Sequence, residues 1–362
     1  MKEKIRQRTG GAAPGELELI GRIRERAGRL AGSLSGSRAG KRAGTGLRLG
    51  IGDDCALLAT RPGEELAVTT DLSIEGRHFR LEWHPAESVG HRALARGLSD
   101  LAAMGARPVA AFLSLGIPSE LTRTRSGQKP GQKSWVERFY DGLLALADQF
   151  ETPLAGGDLS QSPLALADIV LVGAVRRGEA LLRSGARAGN QLYVTGKLGG
   201  AAAGLRALAA SDGKPRRATH PEAETVLGPH LYPQPRIAQG MALARRKLAA
   251  AAMDLSDGLA IDLARLCDES GVTAEVDARL LPVFPGATPE EALGGGEDYE
   301  LLFTARPETR IPDSIGGVPL TRIGRILPTR KGRPTVTLLS EKGKSPLAAA
   351  GWEHFAESRK AV

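Results

Sequence analysis

Alternating apolar and polar positions in LAVTTDL (66–72) predict a half-buried strand that ends at Asp71. Further along, AESVGHRALARGLSDLAAMGA (86–106) repeats Val89, Ala93, Leu94, Leu98 and Leu101 at helical spacing, which predicts a helix with one buried face and Asp100 in its C-terminal half. The apolar runs ADIVLVGAV (167–175), QLYVTG (191–196) and YELLFTA (299–305) predict buried strands. LSDGLAIDLARLCDESG (255–271) predicts a second helix through Leu259, Leu263 and Leu266, with Ser256 at the N-cap and Gly271 as the stop. Near the start, GELELIGRIRER (15–26) carries Leu17, Ile20 and Ile23 at helical spacing. Strands and helices alternate through two halves that divide near residue 180. The expected fold class is α/β (α+β), with a leader over 1–48 and domains over 49–180 and 181–362.

Three stretches lack this patterning: 28–46, 122–134 and 210–224, all small, basic or polar, and all read as surface loops. Glycines at 28, 32, 36, 40 and 44 argue against a stable helix in the first. The overall composition, 41% apolar and 25% charged over 362 residues, is that of a globular protein. MKEKIRQRTG lacks the apolar core of a targeting segment, and no run of 18 or more apolar residues occurs, so a cytoplasmic protein without membrane contact is expected. The two cysteines, Cys55 and Cys267, are far apart and read as buried free thiols.

A net charge of +8 raises the question of nucleic acid. Residues 1–48 hold twelve Lys and Arg against four Glu, so the remainder of the chain is close to neutral, unlike a domain built around a basic groove. No nucleic-acid partner is expected for the folded halves. A basic RNA-associated protein acting through the leader is the rival from another class.

More informative is the placing of aspartates: Asp53 and Asp54 in GIGDDCALL, Asp71 at a predicted strand end, Asp100 on a helix, Asp158 in AGGDLS, and Asp254 and Asp257 in MDLSDG. All sit among small or apolar neighbours, where a group of carboxylates needs compensating charge. Divalent cations such as Mg²⁺ provide it through hard oxygen ligands, whereas six scattered histidines and two cysteines do not make a zinc site. Turns and caps could account for any one of these aspartates but not easily for all seven. The chain has no GxxxxGK[ST] phosphate loop, GKLGG (196–200) lacking the terminal Ser or Thr, and no kinase-type HRD or DFG set. A nucleotide enzyme of this kind would hold phosphates mainly through metals and backbone amides.

Read together and in order, GIGDDCALL, TTDLSIEGRHF, ALARGLSDLAAMGARP, AGGDLSQSP, RSGARAGNQLYVTGKLGGAAAGL, MDLSDGLAIDL, GGEDYELLFT and GWEHF resemble the thiamine-monophosphate kinase family over about residues 15–357. That family belongs to the superfamily of aminoimidazole ribonucleotide synthetase, selenophosphate synthetase and a hydrogenase maturation protein. The resemblance implies ATP and thiamine monophosphate as substrates, several Mg²⁺ ions, and a homodimer in which the N-terminal sheets form a barrel-like interface. It implies Asp54, Thr69, Thr70, Asp71, Asp100, Asp158, Asp254 and Asp257 as metal ligands, with Tyr140, Gly157, Asp158, Arg183 and Ser256 at ATP. It places His78, Glu297 and Trp352 at the thiamine end, and implies direct transfer with no residue acting as nucleophile or base. Seen singly, each has a plainer reading: His78 as a surface or cap residue, Trp352 as core, Glu297 as a turn residue and Arg183 as a surface ion pair. HLYPQPRI (230–237) departs from the family pattern at Tyr232 and Gln234. Another ATP enzyme of the superfamily is the nearer rival. A selenophosphate synthetase would bring a reactive cysteine near the N-terminus, and no cysteine precedes Cys55.

Overall fold

A computed structural model describes residues 16–32, 46–51, 55–123, 132–211, 225–329, 335–349 and 351–352. Asp53 and Asp54 lie outside the described residues, as do most of 28–46, 122–134 and 210–224. The N-terminal half runs α1 (Glu16–Gly32), β1 (Leu47–Leu49), β2 (Leu57–Leu58), β3 (Glu64–Ile74), α2 (Ala86–Ala103), β4 (Arg107–Ile117), α3 (Trp135–Gln149), β5 (Leu154–Gln161) and β6 (Leu166–Arg176). Strands β3, β6, β4 and β5 form a four-stranded mixed sheet in that order, with β4 and β5 parallel and the other pairs antiparallel. β3 continues past Asp71 to Ile74, because its pairing with β6 is unbroken from Glu64↔Arg176 to Ile74↔Leu166.

Helix α2 departs furthest from its pattern. One buried face was expected, yet fifteen of its residues are buried, including Ser88, His91, Arg92 and Ser99. The reason is a tertiary one: α2 lies over β3 and β6, crosses α3, and meets α6 and β8 of the other half. The α2–α3 crossing is close enough to need glycine, since a Cβ on Gly90 would stand 1.9 Å from the Phe139 carbonyl oxygen and one on Gly142 1.9 Å from that of Glu87. Helix α1 packs on α3 through Leu19 and Ile23 rather than through Ile20, and it continues through Gly28 to Gly32.

The C-terminal half comprises β7 (Gln191–Thr195), α4 (Gly200–Ala210), α5 (Gly228–Leu231), α6 (Ile237–Arg245), β8 (Ala251–Asp254), α7 (Leu259–Ser270), β9 (Val272–Asp277), α8 (Pro289–Gly294), β10 (Leu301–Ala305), β11 (Ser314–Ile315), β12 (Val318–Pro328), β13 (Val336–Ser340) and β14 (Gly343–Pro346). Its eight-stranded sheet has the order β14-β13-β9-β12-β7-β10-β8, with β11 added beside β12. The result is a mixed α/β protein with two large open sheets, a two-stranded β1–β2 ribbon and no closed barrel among the described residues. No described helix is long and apolar enough to cross a membrane.

Two local expectations are corrected. Ser256 does not cap α7, which begins after Gly258. Instead the buried Asp262 reaches back from inside the helix and accepts the backbone N–H groups of Ser256, Asp257 and Gly258 at 3.0–3.1 Å. One carboxylate oxygen can satisfy three converging donors where a serine hydroxyl cannot, and the loop is shaped accordingly. Cys267 is buried as expected, whereas Cys55 is exposed.

Candidate active site

A cavity of about 910 Å³ opens between the halves. Strand β3 and helix α2 supply Asp71, Arg96 and Asp100, the end of β8 and the following loop supply Asp254, Ser256 and Asp257, and Gly294–Glu297 close it from below. Strand β3 pleats Thr69 and Asp71 toward α2, where Thr69 donates a hydrogen bond to Asp100 and Arg96 pairs with Asp71 at 2.6 Å. Ser99, one residue before Asp100, donates to Asp254 at 2.7 Å. The helix thus joins a carboxylate from each half.

Of these four aspartates, Asp71 and Asp257 have arginine partners, Arg96 and Arg265. Asp100 and Asp254 form no ion pair among the described residues and receive hydroxyl hydrogen bonds instead. Burial pushes both carboxyls above their ordinary range, and each is raised further by a neighbouring aspartate, Asp71 for Asp100 and Asp100 for Asp254. Arg183, exposed at its own turn, offsets part of this at both. Two under-compensated carboxylates facing one cavity are a donor set that suits a hard divalent cation. Among the described residues no three such side chains converge closely enough to close a metal shell unaided. Mg²⁺ does not require that, since it usually keeps water and substrate oxygens in its shell.

The rest of the cavity lining has a different character. His78, Trp83, His84, His230, Glu297 and Trp352 belong to it. The Trp352 backbone N–H donates to the Asp257 carbonyl at 3.0 Å, so the tail folds onto the same loop that carries the carboxylates. Glu297 and Tyr299 adopt left-handed backbone conformations, with φ 68° and 50°, uncommon for residues other than glycine.

Six predicted residues do not border the cavity: Thr69, which donates to Asp100; Arg183, exposed at its own turn; and four others. Thr70 points to the opposite face of the first sheet from Thr69 and Asp71. Asp158 stands on β5 at the other edge of that sheet, exposed and bonded to Ser160. Gly157 precedes it, with φ 149° and space for a Cβ only 1.9 Å from the Leu113 carbonyl oxygen. Tyr140 is buried in the core against Phe139 and does not border the cavity. Conversely, Arg92, Arg96, His84 and His230 were not singled out from the sequence. A signal existed in α2, where Arg92, Arg96 and Asp100 recur every four residues and so form a polar stripe on an otherwise apolar helix.

Buried imidazoles give a prediction about stability. Burial, together with the charge of Arg92, lowers His84 to about 4 and His230 well below its ordinary value, and burial lowers His91 to about 4. Their folded-state values lie under the unfolded one, so the unfolded chain takes up protons first, and stability present above pH 6.5 is lost as pH falls toward 4. At ~1.4 kcal/mol per unit, His84 alone contributes on the order of 3 kcal/mol. Thermal unfolding followed from pH 7.5 to pH 5 should show a falling Tm, and a Tm unchanged over that range would contradict the neutral, buried state of these rings.

Each half of the chain matches a family model, the AIR synthase related protein N-terminal domain over residues 52–176 and its C-terminal domain over residues 187–337. Two mixed α/β halves enclosing a carboxylate-lined cavity are therefore of the AIR synthase related class. The thiamine-monophosphate kinase of Escherichia coli K12 is 38% identical over 322 residues, covering 86% of this chain and 93% of that protein. The solved thiamine-monophosphate kinase from Stenotrophomonas maltophilia K279a superposes with a TM-score of 0.70 at 38% identity, over 88% of this chain and 95% of that one. The structure of AaThiL complexed with AMPPCP and TMP gives 0.67 at 30% identity, over 94% and 97%. The chain belongs to the thiamine-monophosphate kinase family.

Proposed function

We propose that the chain transfers the γ-phosphoryl group of ATP to thiamine monophosphate in the cavity between its halves, giving ADP and thiamine diphosphate. The observation that carries this reading is one cavity lined both by aspartates from the two halves and by Glu297, His78 and two tryptophans. The pairing of AMPPCP with TMP in AaThiL supports it. The acceptor is a phosphate oxygen, already anionic near neutral pH, so no strong general base is called for. What opposes the reaction is repulsion between two anions. Mg²⁺, held by Asp100 and Asp254 with Asp71, Asp257 and Thr69 around them, would compensate that charge. The chain's own part is to orient the two phosphates in line, with Arg183 and Ser256 facing the nucleotide, and to keep the acceptor ring between Trp352, His78 and Glu297. A flat cationic ring is well matched to an aromatic face and a carboxylate.

A homodimer is part of this reading. On the face of the first sheet away from α2, Leu66, Val68 and Leu72 are all exposed, an apolar row along an edge strand. A second copy packed there would bury the row and bring its own surface against Thr70 and Asp158, predicted ligands that do not border this chain's cavity. Sedimentation at twice the chain mass supports that arrangement, and a monomer that is fully active would overturn it.

The function itself is tested by offering thiamine and thiamine monophosphate in parallel with ATP and Mg²⁺ and following ADP release. Release dependent on the monophosphate, with thiamine inert, is the expected result. Equal release with thiamine would mean that a base activates a hydroxyl, which contradicts transfer to an acceptor that is already anionic. Magnesium-dependent nucleotide binding without turnover of either acceptor would keep the superfamily and remove the thiamine assignment.

A further inference from the structure

The part of the cavity wall that carries His78, His230 and Glu297 is held by a residue that does not border the cavity. Arg92 is 5% exposed, lies on α2 two turns before Asp100, and is absent from the cavity wall. Its Nη2 donates to Glu297 Oε1 at 2.7 Å and to the His78 carbonyl at 3.0 Å, while Nη1 donates to the His230 carbonyl at 2.6 Å. One guanidinium thereby fastens three separate wall segments, from the loop after β3, from α5, and from the turn before β10. Around it stand His230, whose ring nitrogens lie 3.0–3.1 Å from Nη1, and His84, whose Nε2 is 3.0 Å from His230 Nε2. Both rings are kept neutral by burial and by the guanidinium itself. The positive charge of Arg92 therefore has Glu297 as its anionic partner within this cluster.

The backbone at Glu297 supplies an independent observation. Two residues in left-handed conformations within three positions are costly, and such strain persists only where surrounding contacts over-determine it. Here the Glu297 N–H bonds to the Ser256 carbonyl at 2.7 Å and the Tyr299 N–H to the Leu255 carbonyl at 2.9 Å. This geometry ties the turn to the loop of Asp254 and Asp257, while Arg92 fixes the carboxylate that the turn presents.

We infer that Arg92 is the positioning residue for the acceptor, setting the places of the Glu297 carboxylate and of the His78 loop without touching substrate itself. This rests on the reading that Glu297 faces the thiamine end. A guanidinium suits three acceptors on separate segments because its donors are spread over a fixed planar fork, whereas an ammonium is a single compact point of charge. The role predicts a selective defect: a higher KM for thiamine monophosphate, with kcat and the KM for ATP nearly unchanged, because Asp71, Asp100 and Asp254 keep their own supports.

The test is a double-mutant cycle of Arg92→Lys and Glu297→Ala, with both KM values, kcat and the melting temperature measured for each variant. Arg92→Lys should raise the KM for thiamine monophosphate about tenfold and change the KM for ATP by less than about twofold. In the Glu297→Ala background the same change should add less than it does alone, since of the two elements Arg92 places only the His78 loop remains. Additive effects, equal losses for both substrates, or a lower Tm with unaltered KM would assign Arg92 to general stability and overturn the inference. If Glu297→Ala by itself leaves the KM unchanged, the contact of Glu297 with the acceptor falls, and the inference falls with it. Should Arg92→Lys not fold, Glu297→Gln serves in its place. The amide still meets Arg92 Nη2 through its oxygen, so its KM should rise less than that of Glu297→Ala, and equal KM values for the two would contradict the positioning role.

Discussion

Asparagine at Asp100 or at Asp254 is expected to lower kcat by two or more orders of magnitude while leaving the fold intact. Both carboxylates are buried or nearly so, and neither has an arginine partner among the described residues. An amide keeps the size of the side chain and can still accept the hydroxyl hydrogen bond from Thr69 or Ser99. What it removes is the negative charge that would hold a cation against two phosphates, and lost charge stabilisation of that kind costs roughly 10²-fold or more in rate. Stability should move the other way. Burial and a neighbouring aspartate push these carboxyls up, so in the absence of divalent cations the neutral amide should be at least as stable as the native acid. The paired measurement is kcat together with Tm, with and without Mg²⁺. Native protein should gain Tm with Mg²⁺ and Asp254→Asn should gain less. Near-normal kcat in both variants would remove Asp100 and Asp254 from the metal site.

The second large effect concerns packing. Gly90→Ala should destabilise the protein by on the order of 3 kcal/mol, because the new methyl would stand 1.9 Å from the Phe139 carbonyl oxygen and 2.8 Å from its carbon. Alanine is intrinsically better than glycine inside a helix by ~1 kcal/mol, so the two effects compete. A backbone clash at both atoms of a carbonyl cannot be relieved by a rotamer change, so α2 and α3 must separate, and the steric cost wins. The consequence reaches the cavity, since α2 carries Arg92, Arg96 and Asp100. Urea denaturation should show a lowered midpoint with the slope unchanged. A Gly90→Ala protein as stable as the native one would mean that the helices do not cross this closely.

Much of this architecture could be read in the chain. Periodicity located the strands 167–175 and 191–196 and the helices carrying Asp100 and Leu263, because each rests on neighbours two to four positions away. Aspartates set among small residues were legible as a group, and Asp71, Asp100, Asp254 and Asp257 do border one cavity. What escaped depends on contacts between distant segments. The full burial of α2 follows from a second half packing onto it, and a one-faced pattern in sequence cannot report that. His84 meets His230, and Arg92 meets Glu297, across more than a hundred residues, with nothing local to mark either pair. At Ser256 the local signal was real, and a stronger acceptor later in the chain, Asp262, took its place.

The most direct measurement is ³¹P NMR of the purified protein with ATP and thiamine monophosphate, before and after Mg²⁺ is added. The account predicts that the monophosphate resonance gives way to the two coupled signals of thiamine diphosphate, one for each ADP formed, and only with Mg²⁺. ADP accumulating with inorganic phosphate while the monophosphate signal persists would contradict it.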